Sequence, residues 1–408
     1  MNKKSFFISI IGMGYVGLPL ANELSKYFKV IGYDINKNKI EYLKKSIDKT
    51  KEIQKINKKL VFTNKILDIK NCNVYILCLP TPVTLQKKPD LKIIKSALKK
   101  IKPLFNNKDI IILESTYYPG ATKELITNTF KEDYKKINVG YSPERINPGD
   151  KKNTLTKITK IISSNNLETL KCMYSIYGKI NKNNIFKANS IEEAEAAKLI
   201  ENVQRDLNIG LMNELTKIFD KLDISIHNVL AAANTKWNFL DFKPGLVGGH
   251  CIGVDPYYLK YICKKINFEP RVFMSARNTN EEMTKFYSKK ISKYISSKDK
   301  VLYLGLSFKE NTNDLRNSKN LELLKMLSKK NKIHYYDSLV KSIQNVNKNV
   351  IKYKKQVYDI IILAVPHKDM FKFIKNNLKN ILKDGGYFID LNNNYKLPNK
   401  TKYKHIKL

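Results

Sequence analysis

Three groups of residues have types and spacings suited to chemistry. The first centres on a thiol. Cys251 lies in the run Pro244-Gly245-Leu246-Val247-Gly248-Gly249-His250-Cys251-Ile252-Gly253-Val254-Asp255-Pro256. A thiolate attacks carbonyl carbons and forms covalent intermediates, so a cysteine among glycines with an acid four residues on reads as a covalent nucleophile. The second group is Gly12-Met13-Gly14-Tyr15-Val16-Gly17, followed by Asp34. It stands between an apolar run at 6–11 and a helical pattern from Leu18, with a second apolar run at 29–33 ending at Asp34. In that context the glycines permit a tight turn and close approach to a pyrophosphate, which the helix N-terminus attracts. Asp34 suits a ribose 2′-hydroxyl and repels a 2′-phosphate, so the cofactor expected is NAD and not NADP. The third group is Lys198 and Asn202, four apart and therefore on one helix face. The two can donate to a single oxygen; an exposed lysine beside a polar neighbour is the plainer alternative.

Elements must hold these groups in place. Apolar runs at 74–79, 109–114 and 136–140 continue the strand pattern after the first two. Ligands of doubly wound sheets bind beyond the carboxyl ends of strands. That rule directs Thr81, Thr116 and Glu144, each just past a strand, toward one crevice, although Ser, Thr and Pro also simply end strands. From Ser190 to about Asp220 no breaker appears, and Ser190 with Glu193 makes a capping box for a long helix. A further helix is expected from Ile226 to about Asn234. A second α/β alternation begins at 301–304 and continues at 332–336, 358–365 and 386–390. Its first turn lacks the full glycine spacing, which points to a nucleotide site of another kind with Lys309 and Arg316 as phosphate partners. The tail, residues 395–408, is basic and reads as peripheral. The fold class expected is α/β, with two Rossmann-like domains joined by a central helical domain with a long helix. The division is 1–189 for NAD, 190–297 for the central helical segment with the cysteine loop, and 298–408 for the second nucleotide domain.

Composition narrows the classes. The 408 residues carry Lys+Arg 75 against Asp+Glu 37, a net charge of +38. Lysine is spread along the chain and not clustered with stacking aromatics, so nucleic acid is not expected as a partner, while a positive field still draws an anionic small substrate. The five cysteines have no metal-type spacing, and neither a disulfide frame nor a metal site is expected. No apolar run is long enough for a membrane helix. The apolar start runs into the glycine turn without a small-residue cleavage site, so it reads as a first strand of a cytoplasmic protein.

Six motifs in order carry a resemblance: Gly12-Met-Gly-Tyr-Val-Gly-Leu18, Ser115-Thr-Tyr-Tyr-Pro-Gly120, Ser142-Pro-Glu144, Glu195-Ala-Ala-Lys198 with Asn202, Gly248-Gly-His-Cys251 with Asp255, and Phe308-Lys309 with Asp314-Leu-Arg316. Over essentially its whole length the chain resembles the UDP-glucose/GDP-mannose dehydrogenase family. Ser142-Pro-Glu-Arg-Ile-Asn-Pro-Gly-Asp150, Thr235-Lys-Trp-Asn-Phe239 and Gly248-Gly-His-Cys-Ile-Gly-Val-Asp-Pro256 are similar to its UDP-N-acetylhexosamine 6-dehydrogenases of the Vi-antigen and O-antigen type, which act on UDP-GlcNAc or UDP-GalNAc. The UDP-glucose branch usually has Phe-Pro-Lys-Asp after its cysteine and a second glutamate where this chain has Pro148.

The resemblance implies a four-electron oxidation of the sugar C6 alcohol to a carboxylate with two NAD⁺, through a thiohemiacetal and thioester on Cys251, feeding surface polysaccharide synthesis. It assigns Lys198 and Asn202 to oxyanion donation, Asp255 to proton transfer, and Thr116 and Glu144 to positioning water. It leaves His250 a structural role, since the family does not require histidine there. Tyr15, Val16, Lys39, Thr81 and Thr116 join the cofactor set, and Arg316 contacts NAD. Lys309 and Gly248 join the substrate set with Glu144, Lys198 and Asn202. Arg145 and Asn147 lie in the loop over the sugar. Lys236 corresponds to a residue that reaches the partner subunit's substrate, which implies a homodimer built on the long helix. UDP-ManNAc or UDP-glucose as substrate is the alternative within the family. Outside it stand a two-electron hydroxyacid dehydrogenase, which needs neither Cys251 nor the second α/β half, and a non-enzymatic basic nucleotide- or nucleic-acid-binding protein.

Overall fold

Runs such as Ile110–Leu113 and Val74–Leu77 are aliphatic throughout, and a strand apolar on both faces is stable only when both are covered. The computed structural model describes residues 5–50, 52–132, 134–146, 152–340, 357–397 and 401–408. The chain forms two units, Met1–Glu201 with Tyr257–Glu269, and Asn202–Pro256 with Pro270–Leu408.

In the first unit the elements run β1 (Phe7–Ile11), α1 (Gly17–Leu24), β2 (Lys29–Tyr33), α2 (Lys37–Lys44), β3 (Val61–Thr63), β4 (Val74–Leu77), α3 (Lys92–Ile101), β5 (Ile110–Leu113), α4 (Ala121–Phe130), β6 (Asn138–Tyr141), β7 (Lys160–Ser164), α5 (Leu167–Asn181) and β8 (Ile185–Lys187). The sheet order is β3-β2-β1-β4-β5-β6-β7-β8, a doubly wound arrangement with its switch between β1 and β4. Pairing is parallel except between β6 and β7. Ile8, Ile10, Ile76 and Ile112 are fully buried in its core with Leu20 and Ile176, and burial of such side chains contributes roughly 1.5–3 kcal/mol each.

Helix α6 (Ile191–Lys221) follows as a 31-residue element. Its start is capped much as the sequence indicates. Ser190 Oγ accepts from the Glu193 amide at 3.1 Å, and the Glu193 carboxylate accepts from the amide of Asn189, one residue before the cap, at 3.2 Å. Then come α7 (Ile226–Ala233), α8 (Asp255–Lys265) and α9 (Arg271–Ser292). Helix α8 was not foreseen; glycines before Asp255 and Pro256 within it mask a helical pattern.

The second unit's sheet holds β9 (Val301–Leu304), β10 (Ile333–Tyr336), β11 (Tyr358–Leu363), β12 (Leu382–Asp390) and β13 (Lys404–Lys407) in the order β10-β9-β11-β12-β13, with α10 (Lys319–Leu327) and α11 (Lys368–Ile381) between strands. The tail is not peripheral as expected: β13 pairs in parallel with β12, and Leu408 is buried. Lysines flank its one aliphatic residue, Ile406, so the segment carries almost no apolar signal. Both sheets repeat one device after their first strand. In the first unit the Gly12 amide donates to the Tyr33 carbonyl at 2.8 Å and that of Met13 to Asp34 at 2.9 Å. In the second the Gly305 amide donates to the Tyr336 carbonyl at 2.9 Å and that of Leu306 to Asp337 at 2.7 Å.

Candidate active site

The turn from β1 into α1 satisfies the physical demands of a dinucleotide. A β-carbon on Gly14 would meet nothing within 4 Å, so its backbone faces open space a pyrophosphate can enter. A β-carbon on Gly17 would collide with the Gly12 carbonyl, because α1 packs directly on the turn. Val16 precedes the first turn of α1 with Tyr15 beside it, where helix amides point outward. Asp34 is buried; besides Met13 it accepts from the Asn36 amide at 2.9 Å and from Lys39 Nζ at 2.7 Å. Asp34→Ser is expected to raise the KM for NAD roughly 10–100-fold, the equivalent of one charged hydrogen bond of about 1.5–3 kcal/mol. It also frees Lys39 for a 2′-phosphate, so the preference over NADP should narrow; initial rates with both cofactors measure this.

Strands β4, β5 and β6 are neighbours, and the segments after them bring Thr81, Thr116 and Glu144 to the carboxyl edge of one sheet. Thr81 Oγ1 donates to the Thr116 carbonyl at 3.0 Å. Glu144 is buried, and one carboxylate oxygen accepts from the amides of Arg145 and Ile146, both at 2.7 Å. Arg145 is engaged by Glu201 on α6 at 2.7 Å and by the Thr159 carbonyl at 3.0 Å, so its contact with a substrate requires rearrangement of that pair. Asn147 lies outside the described residues. Lys198 is buried on α6. One turn before it, fully buried Glu195 accepts from the Gly120 amide at 2.6 Å and the Thr122 amide at 2.9 Å, which ties α6 to the start of α4 and the segment carrying Thr116. Burial pushes the Glu195 carboxyl up to about 7 despite those bonds.

In the second unit the Cys251 carbonyl accepts from the amides of Val254 at 3.0 Å and Asp255 at 2.8 Å, so a helical turn reaches from the thiol into α8. Cys251 is exposed. Asp255, the first residue of α8, is 1% exposed, and its carboxylate accepts from Asn202 Nδ2 at 2.6 Å. An amide nitrogen carries two protons, so Asn202 holds Asp255 and keeps a second N–H for another acceptor. The cysteine loop is clamped. The Gly249 amide donates to the Asn317 carbonyl at 3.1 Å, and Asn317 Nδ2 donates back to the Gly249 carbonyl at 2.9 Å. Gly249 has φ +83° and lies against the Phe308 ring, a place for neither a side chain nor an ordinary L-residue backbone. Gly248 sits against Asn317.

His250 Nε2 is 2.7 Å from Asp314, whose carboxylate also takes the Arg316 guanidinium, with Nη2 at 2.6 Å. Burial raises the Asp314 pKa, but these bonds outweigh it and hold the carboxyl well below the usual range. Lys309 Nζ lies 5.7 Å from the Phe308 ring centroid, in a segment pinned by buried His367. His367 Nδ1 accepts from the Asn311 amide at 2.8 Å, which leaves the proton on Nε2 facing Asp337 at 3.2 Å. Lys236 is exposed after α7, beside exposed Trp237. Neither Glu114 with Lys160 nor Asp206 with Arg277, both buried ion pairs, was foreseen. One basic residue among 75 gives no signal for such a role.

A dinucleotide turn of this kind on one sheet, with an exposed thiol and a buried Asn–Asp pair beyond it in the chain, defines a nucleotide-dependent dehydrogenase that has a nucleophile of its own. Family models cover nearly all of the sequence: the NAD binding domain of the UDP-glucose/GDP-mannose dehydrogenase family matches residues 6–181, its central domain 192–282, and its UDP binding domain 302–397. The chain belongs to the UDP-glucose/GDP-mannose dehydrogenase family. It is 42% identical to a UDP-N-acetyl-D-glucosamine 6-dehydrogenase of Salmonella typhi, covering 96% of both chains. It is 39% identical to one of Pseudomonas aeruginosa, covering 95% of this chain and 97% of that one. A solved UDP-D-ManNAc dehydrogenase from Pyrococcus horikoshii superposes with a TM-score of 0.85 at 26% identity, over 98% and 99% of the two chains. Among the described residues no helix is long and apolar enough to cross a membrane, and no group of His, Cys, Asp and Glu is arranged to hold a metal ion.

Proposed function

We propose that this chain is an NAD-dependent 6-dehydrogenase of a UDP-N-acetylhexosamine, oxidising the C6 alcohol to the uronic acid. UDP-GlcNAc is the substrate assigned first, on the names of the Salmonella and Pseudomonas relatives; UDP-GalNAc is its 4-epimer alternative. The observation that carries the reading is the exposed Cys251 one helical turn from buried Asp255, with Asn202 bonded to that carboxylate.

NAD⁺, when bound at the Gly12–Gly17 turn, supplies the hydride acceptor for both oxidations. In the first, Asp255 assists removal of the alcohol proton, leaving an aldehyde at C6. A bare aldehyde cannot pass on its remaining hydride until a nucleophile has made the carbon tetrahedral, so the Cys251 thiolate adds to it. The resulting thiohemiacetal oxygen is stabilised by Lys198 and the second amide proton of Asn202. Loss of hydride from that carbon leaves a thioester. Glu144 and Thr116 orient a water that displaces the Cys251 sulfur and releases the carboxylate. One alcohol, one water and two NAD⁺ give one carboxylate, two NADH and three protons.

Residues 1–189 serve NAD, 190–297 the catalytic loop and subunit association, and 298–408 the UDP moiety through Lys309, with Arg316 reaching NAD. Ile200, Leu211 and Ile218 are exposed and fall within about 20° of one another around α6 at 100° per residue, an apolar stripe suited to a homodimer. Lys236 then reaches the partner's substrate. The reaction belongs in the cytoplasm, where NAD and UDP-sugars are made, and its product feeds surface polysaccharide synthesis. NADH release against a panel of UDP-sugars tests the assignment. Two NADH per UDP-GlcNAc or UDP-GalNAc, with a uronate detected by mass spectrometry, is the expected result. One NADH per hydroxyacid, or turnover of UDP-glucose alone, would sink it.

A further inference from the structure

The sheet of the first unit ends in two reversed strands, β7 and β8, and the first of them delivers a cation to an acidic edge. Because β7 runs antiparallel to β6, its first residue, Lys160, lies at the edge where β5 and β6 end. There Lys160 is 2% exposed, with Nζ 3.0 Å from Glu114 and 3.5 Å from the Glu144 oxygen not used by the Arg145 and Ile146 amides. Glu114 is fixed from the other side by the Tyr177 hydroxyl on α5, and its carbonyl accepts the Glu144 amide at 3.2 Å. The Lys160 ammonium also lies 5.3 Å from the centroid of the Tyr177 ring.

Glu114, Glu144 and Lys160 therefore form one buried cluster of two carboxylates and an ammonium. A buried carboxylate that loses its cation is left uncompensated, and Glu144 without Lys160 loses the partner that holds its second oxygen. Burial raises the Glu114 pKa and lowers that of Lys160; their mutual attraction, with Glu144, turns the Lys160 shift upward, so the ammonium stays charged.

We propose that Lys160 is a positioning residue for thioester hydrolysis: anchored by Glu114, it holds the Glu144 carboxylate in place, aimed at the hydrolytic water. This rests on the reading of Glu144 given above. The dehydrogenation steps do not pass through Glu144, so the effect should appear in hydrolysis alone. The readout is the mass of the intact protein after mixing with NAD and UDP-GlcNAc, which reports acyl-enzyme on Cys251, together with NADH release. Lys160→Met is expected to slow hydrolysis roughly 10–100-fold, within what a general base contributes, while a burst of NADH and the adduct remain. Lys160→Arg keeps the cation and should turn over without adduct. Should Lys160→Met not fold, because it leaves two buried carboxylates facing each other, the double variant Lys160→Met/Glu114→Gln removes that strain and is expected to accumulate the adduct. Normal turnover without adduct in a folded variant lacking Lys160 overturns the proposal. So does a uniform loss of NADH release without adduct. Adduct in Glu144→Gln but not in the Lys160 variants overturns the role of Lys160 alone; adduct in neither overturns the reading of Glu144 and this proposal with it.

Discussion

Cys251→Ala is expected to end uronate formation, with a loss of roughly 10⁴-fold or more, the scale seen when a covalent nucleophile is removed. The thiol is the one group in the cysteine loop that can hold the C6 carbon through the second oxidation, and its loop is fixed by Asn317 and Phe308 independently of the sulfur. The exposed side chain makes few packing contributions, so folding should be unaffected. At most one hydride can leave the substrate in this variant. The measurement is uronate by mass spectrometry beside NADH yield and melting temperature. Acid formation at a tenth of the normal rate or better would exclude the covalent route.

Asn202→Ala carries the second large effect. It removes the 2.6 Å bond to Asp255, a carboxylate that is 1% exposed. In the proposed mechanism it also removes a donor to the oxygen that becomes negative when Cys251 adds. Loss of one such donor costs roughly 10²–10³-fold in kcat, and loss of a hydrogen bond to a charged group costs about 1.5–3 kcal/mol of stability. The KM for NAD should hold, since Asn202 has no part in the Gly12–Gly17 turn. A kcat within threefold of normal would show that Asn202 serves packing only. The two variants separate the roles: the first loses chemistry without stability, the second loses both.

What could be read from the sequence follows from how local each signal is. The dinucleotide turn was legible because Gly12, Gly14, Gly17 and Asp34 sit at spacings set by one strand, one turn and one helix. Parallel strands β1, β2, β4 and β5 were legible as aliphatic runs. Strand β7 was missed: it opens with Lys160, and a lysine at a buried strand end contradicts every local preference until Glu114 and Glu144 are seen beside it. Such pairs join residues 46 and 16 positions apart, and nothing short-range marks them. The same holds for Glu195, where a quoted motif residue turned out to cap a helix 73–75 positions away. Arg145 was placed in the loop over the sugar, and its ion pair with Glu201, 56 positions on, carried no short-range mark.

The chain crosses between its two units more than once, and this bears on how the protein is made. The cofactor unit is interrupted after Glu201 and completed only by Tyr257–Glu269. That returning piece is bonded into it: Tyr258 donates its hydroxyl proton toward the carbonyls of Thr81 at 2.9 Å and Pro82 at 3.3 Å, and Lys265 pairs with Glu124 at 2.8 Å. On a ribosome the first 201 residues emerge lacking those partners, and a further 68 residues must follow before they arrive. At about 5–20 residues per second the wait is roughly 3–14 s. During it Thr81 and Pro82 lack the Tyr258 hydroxyl, so the NAD half is completed only after the thiol loop has been synthesised.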